Sequence, residues 1–223
     1  LKVFKTSSGM HVEYSTIGSA GGLASLMMGD ADIACTHLYD PETGKYNIPF
    51  LGKYWLADKS IVVRGYDREI VLAFHPKVQL NGFHDIIEGK VRIVNRVLGS
   101  GTRVLFDYLL EKTAKKLGVN SKEIPLRVKG YSCEVKTHYD VARAIVEGKA
   151  DVGLTLRIVA EQYGLKWFHI LWEHFDFVVR SDRSEKKGVK KFLEFISGPK
   201  FRKIIEKTSG YRVDENQGKV IYP

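Results

Sequence analysis

The chain is poor in the residues that build cross-linked or metal-bound centres. Of its 223 residues only Cys35 and Cys133 are cysteines, too few for a disulfide framework, and neither has a second Cys or a His at metal-ligand spacing. No metal or other cofactor is expected. Long apolar runs are also missing: nothing approaches the roughly 18 to 20 uninterrupted residues of a membrane-spanning helix. Leu1-Lys2-Val3-Phe4-Lys5-Thr6 lacks the apolar stretch of a secretory signal. A cytoplasmic location without membrane contact is therefore the expectation. With 44% hydrophobic and 27% charged residues, the chain has enough apolar surface for one large core or two small ones.

Basic residues are in surplus. Thirty-five Lys and Arg against 26 Asp and Glu leave a formal charge of +9, which suits nucleic acid, an anionic ligand or a highly charged surface. Much of the excess lies in Lys186, Lys187, Lys190, Lys191, Lys200, Arg202, Lys203 and Lys207. Helical spacing turns many of these away from Val189, Phe192, Leu193, Ile196, Phe201, Ile204 and Ile205, the pattern of a solvated helix face. No basic stripe interleaved with aromatics, helix-turn-helix pattern or zinc finger is present, so DNA contact is expected only through a domain preceding Leu1.

Along the chain, short β-type runs alternate with amphipathic helices, the grammar of an α/β fold. Leu1 to Phe4 reads as the end of a helix, followed by a loop from Thr6 to Gly9. Strands are expected at His11–Thr16, Ile33–Thr36, Ile61–Arg64, Ile70–Phe74, Val91–Asn95, Leu126–Val128, Val152–Thr155 and Phe175–Arg180. Helices are expected at Ala20–Met28, Thr102–Leu117, His138–Glu147 and Ile158–Tyr163, with two more broken at Gly198-Pro199. One device occurs twice. Gly18-Ser19-Ala20-Gly21-Gly22-Leu23 leads to Gly29-Asp30-Ala31-Asp32-Ile33, and Thr137-His138-Tyr139-Asp140-Val141-Ala142 leads to Gly148-Lys149-Ala150-Asp151-Val152. Each unit is a polar start, a helix, a stopping glycine and an Ala-Asp turn into a buried strand. Repetition at such separation favours two related lobes.

The strongest chemical signal is Val91 to Arg103, a strand, the loop Gly99-Ser100-Gly101, then a helix beginning near Thr102. Such a loop aims backbone N–H groups beyond the helix N-terminus, where the helix dipole also favours an oxyanion. Ser100 and Thr102 add hydroxyls and Arg103 a guanidinium; an ordinary helix cap is the alternative. The loop lacks the Lys and Ser/Thr of a phosphate-binding nucleotidase loop and the third glycine of a dinucleotide fingerprint. Gly18-Ser19 and Thr137-His138-Tyr139 are further helix starts suited to the same ligand, or to simple capping. His37 to Asn47 is a polar turn segment, either an ordinary turn after a strand or a lip in which His37 or Tyr46 touches ligand. A catalytic pair is not evident: Cys133 with His138 as base has no neighbour to depress the thiol pKa. Binding, not catalysis, is expected.

Gly18 to Leu26, Gly29 to Ala34, His37 to Asn47, Asn95 to Arg103 and Gly148 to Leu154 resemble the periplasmic-binding-protein-like domain related to molybdate-binding proteins, matching in order from about Thr16 to Gly218. The resemblance implies an α/β, type II periplasmic-binding-protein-like fold of two α/β lobes joined by two crossover strands, with ligand held between the lobes. It makes Arg68 to Pro76 the outgoing crossover and Trp172 to Arg180 the return, so lobe one is 1–74 and 177–223 and lobe two is 75–176. It implies ligand contacts from Gly18, Ser19, Ser100, Gly101, Thr102, Arg103, Thr137 and His138. By this resemblance the first strand of the fold is expected to be missing before Leu1, and Phe74-His75-Pro76 stands where the family often has Gly-Asn-Pro. The implied function is a sensor or carrier of a small oxyanion, molybdate or tungstate. The alternatives are the effector domain of a DNA-binding transcriptional regulator or an accessory domain of a molybdopterin molybdenumtransferase.

Overall fold

A computed structural model describes residues 1–223. The chain divides into two compact units, 1–67 with 173–223 and 68–172, the boundaries falling before the expected 74/75 and 176/177. The chain passes between them twice, within β2 (Ser60–Phe74) and within β6 (Lys166–Arg180), each one continuous strand of 15 residues.

In the first unit, helices α1 (Lys2–Ser8) and α2 (Gly18–Met28) precede β1 (Ile33–Thr36), which pairs antiparallel with β6 from Asp176 to Val179. Helix α2 stops at Gly29, whose φ of 85° is the left-handed conformation that frees the chain to turn into β1. Leu23 and Leu26 of α2 are buried with Ala34, Leu38, Leu51, Val62 and Val178 in one apolar cluster. The final helices, α8 (Lys187–Ser197) and α9 (Pro199–Glu206), bury Ile196, Phe201 and Ile205 against Val63 and Phe177. Pro199 occupies the first turn of α9, where a missing N–H costs nothing. The chain ends in β7 (Tyr211–Arg212) and β8 (Val220–Tyr222), both paired with β2.

The second unit carries α3 (Phe83–Ile87), β3 (Ile93–Arg96), α4 (Gly101–Lys116), α5 (Ile124–Arg127), β4 (Glu134–Val135), α6 (His138–Val146), β5 (Val152–Leu156) and α7 (Arg157–Gln162). Its sheet runs β6-β2-β5-β3-β4, with β4, β3 and β5 parallel and β2 antiparallel to β5. Val94, Ile93, Val152, Leu154, Val141 and Ile145 are buried among the strands and α6. Gly153 faces Val94 and Val141 so closely that a Cβ would sit 2.7 Å from a Val141 methyl.

Four expected strands differ. His11–Thr16 forms no strand: its side chains are nearly all exposed and no β partner is present. Leu126–Val128 is not a strand either; Ile124–Arg127 makes one helical turn around Pro125, leaving Leu126 89% exposed. The runs 61–64 and 70–74 are parts of the single strand β2. Its central Gly-Tyr-Asp-Arg-Glu reads as a turn because it is polar, yet Arg64, Asp67, Arg68 and Glu69 are buried there. Arg64 satisfies three carboxylates: Nη1 donates to Asp176 at 2.9 Å, Nε to Asp214 at 2.9 Å and Nη2 to Asp67. Burial works against the charge of Arg64, but Asp176, Asp214 and Asp67 outweigh it and hold the guanidinium protonated.

Candidate functional site

In the second unit the expected donors gather at the N-terminus of α4. Ser100 is the N-cap: its Oγ accepts from the Arg103 amide at 3.2 Å, and its carbonyl accepts from the Arg103 and Val104 amides. Gly101 and Thr102 supply the first two amides of the helix, which have no carbonyl a turn earlier within it. Both residues are buried. The Thr102 side chain is 1% exposed and its Oγ1 has no hydrogen-bond partner. A buried, unsatisfied hydroxyl is costly, and it sits where the helix dipole is positive. This combination fits an oxyanion.

Arg103 is placed differently from its expected role as a ligand fork. Its Nε donates to Asp107 one helical turn on at 2.7 Å and its Nη1 to Glu134 of β4 at 2.7 Å, while the guanidinium lies 4.8 Å over the Tyr131 ring. Burial disfavours the charge, but bonds with Tyr131, Asp107 and Glu134 raise its pKa overall. The side chain is spent on bracing the loop, because the same helix carries an acid at i+4.

Thr137 and His138 start α6 beside this loop. The two loops are tied by Arg96 Nη2 donating to the Lys136 carbonyl at 2.7 Å and by the Val97 amide donating to the Val135 carbonyl at 3.2 Å. Thr137 forms a capping box: its hydroxyl accepts from the Asp140 amide at 3.0 Å and donates to the Asp140 carboxylate at 2.7 Å. That hydrogen bond, above all, lowers the Asp140 pKa. The His138 carbonyl accepts from Thr155 Oγ1 of β5 at 3.1 Å, fixing α6 to the strand.

Gly18 and Ser19 lie in the first unit at the start of α2. Gly18 has φ 74°, and the buried Ser19 Oγ accepts from the His37 amide at 3.1 Å. The neighbouring Thr36 is fully buried with an Oγ1 that has no partner. His37 Nδ1 is 3.1 Å from the buried Glu173 carboxylate, and its ring stacks 5.7 Å from Phe175. Tyr46, in the same polar segment, stacks on His174 at 4.7 Å.

The structure thus brings Ser100, Gly101, Thr102 and Arg103 together with Thr137 and His138 in one unit, and places Gly18 and Ser19 in the other. Sequence reasoning missed Thr36 and Arg96. Thr36 is the polar end of the strand Ile33-Ala34-Cys35-Thr36, and Arg96 stands three residues before the glycine loop; both positions were signals. No group of three or more His, Cys, Asp and Glu gathers as a metal site, and no helix is long and apolar enough to cross a membrane.

In the second unit β2 runs antiparallel to β5 while β3, β4 and β5 run parallel, and the polar N-termini of α4 and α6 follow β3 and β4. Among solved structures of this fold, a substrate-binding protein of Clostridium perfringens with bound phosphate has TM-score 0.65 and 18% identity, over 96% of this chain and 92% of that one. PhnD1 of Prochlorococcus marinus (MIT 9301) in complex with methylphosphonate has TM-score 0.62 and 16% identity, over 98% of this chain and 86% of that one. The fold is therefore the type II periplasmic-binding-protein fold. A family model described as a PBP superfamily domain matches residues 2–197, and the chain belongs to that superfamily. It is also 30% identical over 207 residues to "Uncharacterized protein YvgK" of Bacillus subtilis (strain 168), covering 92% of this chain but only 63% of the relative's length.

Proposed function

We propose that the chain is a solute-binding domain for a small tetrahedral oxyanion and that phosphate or a phosphonate is its ligand ahead of molybdate and tungstate. The observation that carries this reading is the buried, unpartnered Thr102 hydroxyl at the N-terminus of α4, beside the Gly101 and Thr102 amides. An acceptor-rich anion meets all three donors. Because Arg103 is already neutralised by carboxylates, the site relies on uncharged donors and the helix dipole, which offset an anion's lost hydration without matching it charge for charge. The second unit as a whole remains basic, with 17 Lys and Arg against 11 Asp and Glu, so its field attracts an anion from solution.

Phosphate and methylphosphonate lead because proteins of the same fold were solved with them. Molybdate and tungstate share the tetrahedral shape and follow from the resemblance in the sequence. The role is binding, as a sensor or carrier; a regulator's effector domain or a molybdenumtransferase's accessory domain is a proposal about a longer protein. Calorimetric titration of ligand-stripped protein with phosphate, methylphosphonate, molybdate, tungstate and sulfate tests the reading. Saturable binding of at least one, weakened in Thr102→Val, supports it; no heat with any of them refutes it.

A further inference from the structure

The run Lys166 to Trp172 is the outer edge of the second unit's sheet. β2 lies on one side of it, while on the other side β6 is paired by β1 only from Asp176 to Val179. Among these seven residues, no backbone hydrogen bond from a turn or loop reaches Lys166 to Leu171. None of the seven side chains is buried, although five are Trp167, Phe168, Ile170, Leu171 and Trp172. By contrast, all of Arg68 to Phe74 in β2 is buried. Proteins normally blunt such an edge with charges, proline or a bulge, because its open N–H and C=O groups recruit another strand. Here the only formal charge is Lys166, at the end, and there is no proline.

The edge is also held rigid. His169 Nδ1 lies 2.8 Å from Glu69, and Arg157 spans Glu69 and Glu161 while lying 4.8 Å over the Trp167 ring. A preformed strand loses little conformational entropy when it pairs.

We propose that this edge pairs antiparallel with the same edge of a second copy of the chain, giving a twofold dimer with one sheet running across both. A twofold axis normal to the sheet requires a residue to face its own copy, and His169 is the centre of the run. That register sets Trp167 opposite Leu171, Phe168 opposite Ile170 and Lys166 opposite Trp172, so no two formal charges of like sign meet. Three partly covered aromatics with Ile170 and Leu171 offer a few hundred Å² per copy, less than the roughly 800 Å² per partner of a standard interface. The dimer is therefore weak and concentration-dependent. Each copy carries +9, so salt that screens this repulsion strengthens the pairing. This inference stands apart from the ligand.

Sedimentation velocity on the full chain from about 10 µM to about 1 mM, at about 0.05 and 0.5 M salt, provides the first test. The average mass should climb toward twice the monomer's, further at the higher salt, and Phe168→Lys should raise the dissociation constant at least about tenfold. The second test uses His169→Cys with Cys35→Ser and Cys133→Ser, the two native thiols being exposed. Facing residues in an antiparallel pair lie about 4.5 to 5.5 Å apart at Cα, within disulfide reach, so mild oxidation should link the two copies. A mass that stays monomeric throughout, a dimer indifferent to Phe168→Lys, or a dimer without the cross-link each overturns the proposal.

Discussion

Replacing Thr102 by Val should move ligand affinity and intrinsic stability in opposite directions. Valine keeps the β-branched shape and removes one oxygen that has no partner and is shielded from water. In ligand-free protein that hydroxyl carries an unmet desolvation cost of about 1 to 3 kcal/mol, so its removal should stabilise the fold by about 1 kcal/mol. For a chain of this length that raises Tm by about 2 to 4 °C. In the complex, a hydrogen bond to a charged ligand contributes about 1.5 to 3 kcal/mol, so its loss should weaken binding about 10- to 150-fold. The assay pairs thermal melts of exhaustively stripped protein with calorimetric titration of phosphate and methylphosphonate. A variant that melts lower and binds unchanged would show that the hydroxyl serves the fold, and the oxyanion reading would lose its main support.

Other expectations concern the scaffold. Thr137→Val breaks the α6 capping box and should cost about 0.5 to 2 kcal/mol, measured by urea denaturation. The Asp140 pKa is lowered in the folded state, so its contribution is present above the unfolded carboxylate value near 4 and fades as pH falls through the folded value. The stability gap between wild type and Thr137→Val should therefore be constant above about pH 5 and narrow in acid to what the Asp140 amide bond to the hydroxyl contributes; a gap that persists unchanged at pH 2 contradicts this. Arg64→Ala takes the guanidinium from Asp176 and Asp214 and leaves Asp67 to Arg212 and His174; it should cost about 3 to 5 kcal/mol, whereas Arg64→Met with Asp67→Asn and Asp176→Asn should recover part of that loss. Gly153→Ala forces a methyl against Val94 and Val141 and should cost about 1 to 3 kcal/mol by the same measurement.

Local signals were legible where they agreed with tertiary context. The helix over Gly101–Lys116, the strand Ile33–Thr36 and the break at Gly198-Pro199 could be read because apolar spacing, caps and glycines all point the same way. Strand β2 could not be read whole, since Arg64, Asp67 and Glu69 look like solvent-facing turn residues until Asp176, Asp214, Arg157 and His169 arrive from distant sequence. His11–Thr16 failed for the opposite reason: its alternation has no partner strand, so propensity alone decides nothing. At the candidate site, the Ser100–Thr102 loop announced itself through its glycines. The commitment of Arg103 to Glu134 depends on a contact 31 residues away that no local pattern encodes.

The repeated helix-to-strand device also bears on how the chain folds. In both copies, α2 into β1 and α6 into β5, a helix, a left-handed glycine and a strand lie within one short stretch of sequence, so their contacts need only small loops to close. Each unit thus holds its own early kernel. The second unit is contiguous in sequence and can finish alone, while the first must wait for residues 173–223 to return across the whole of it. Refolding should show protection of α6 and β5 amides before those of β2 that pair with Val220 to Tyr222, and pulse-labelled hydrogen exchange that found the reverse order would rule this sequence of events out.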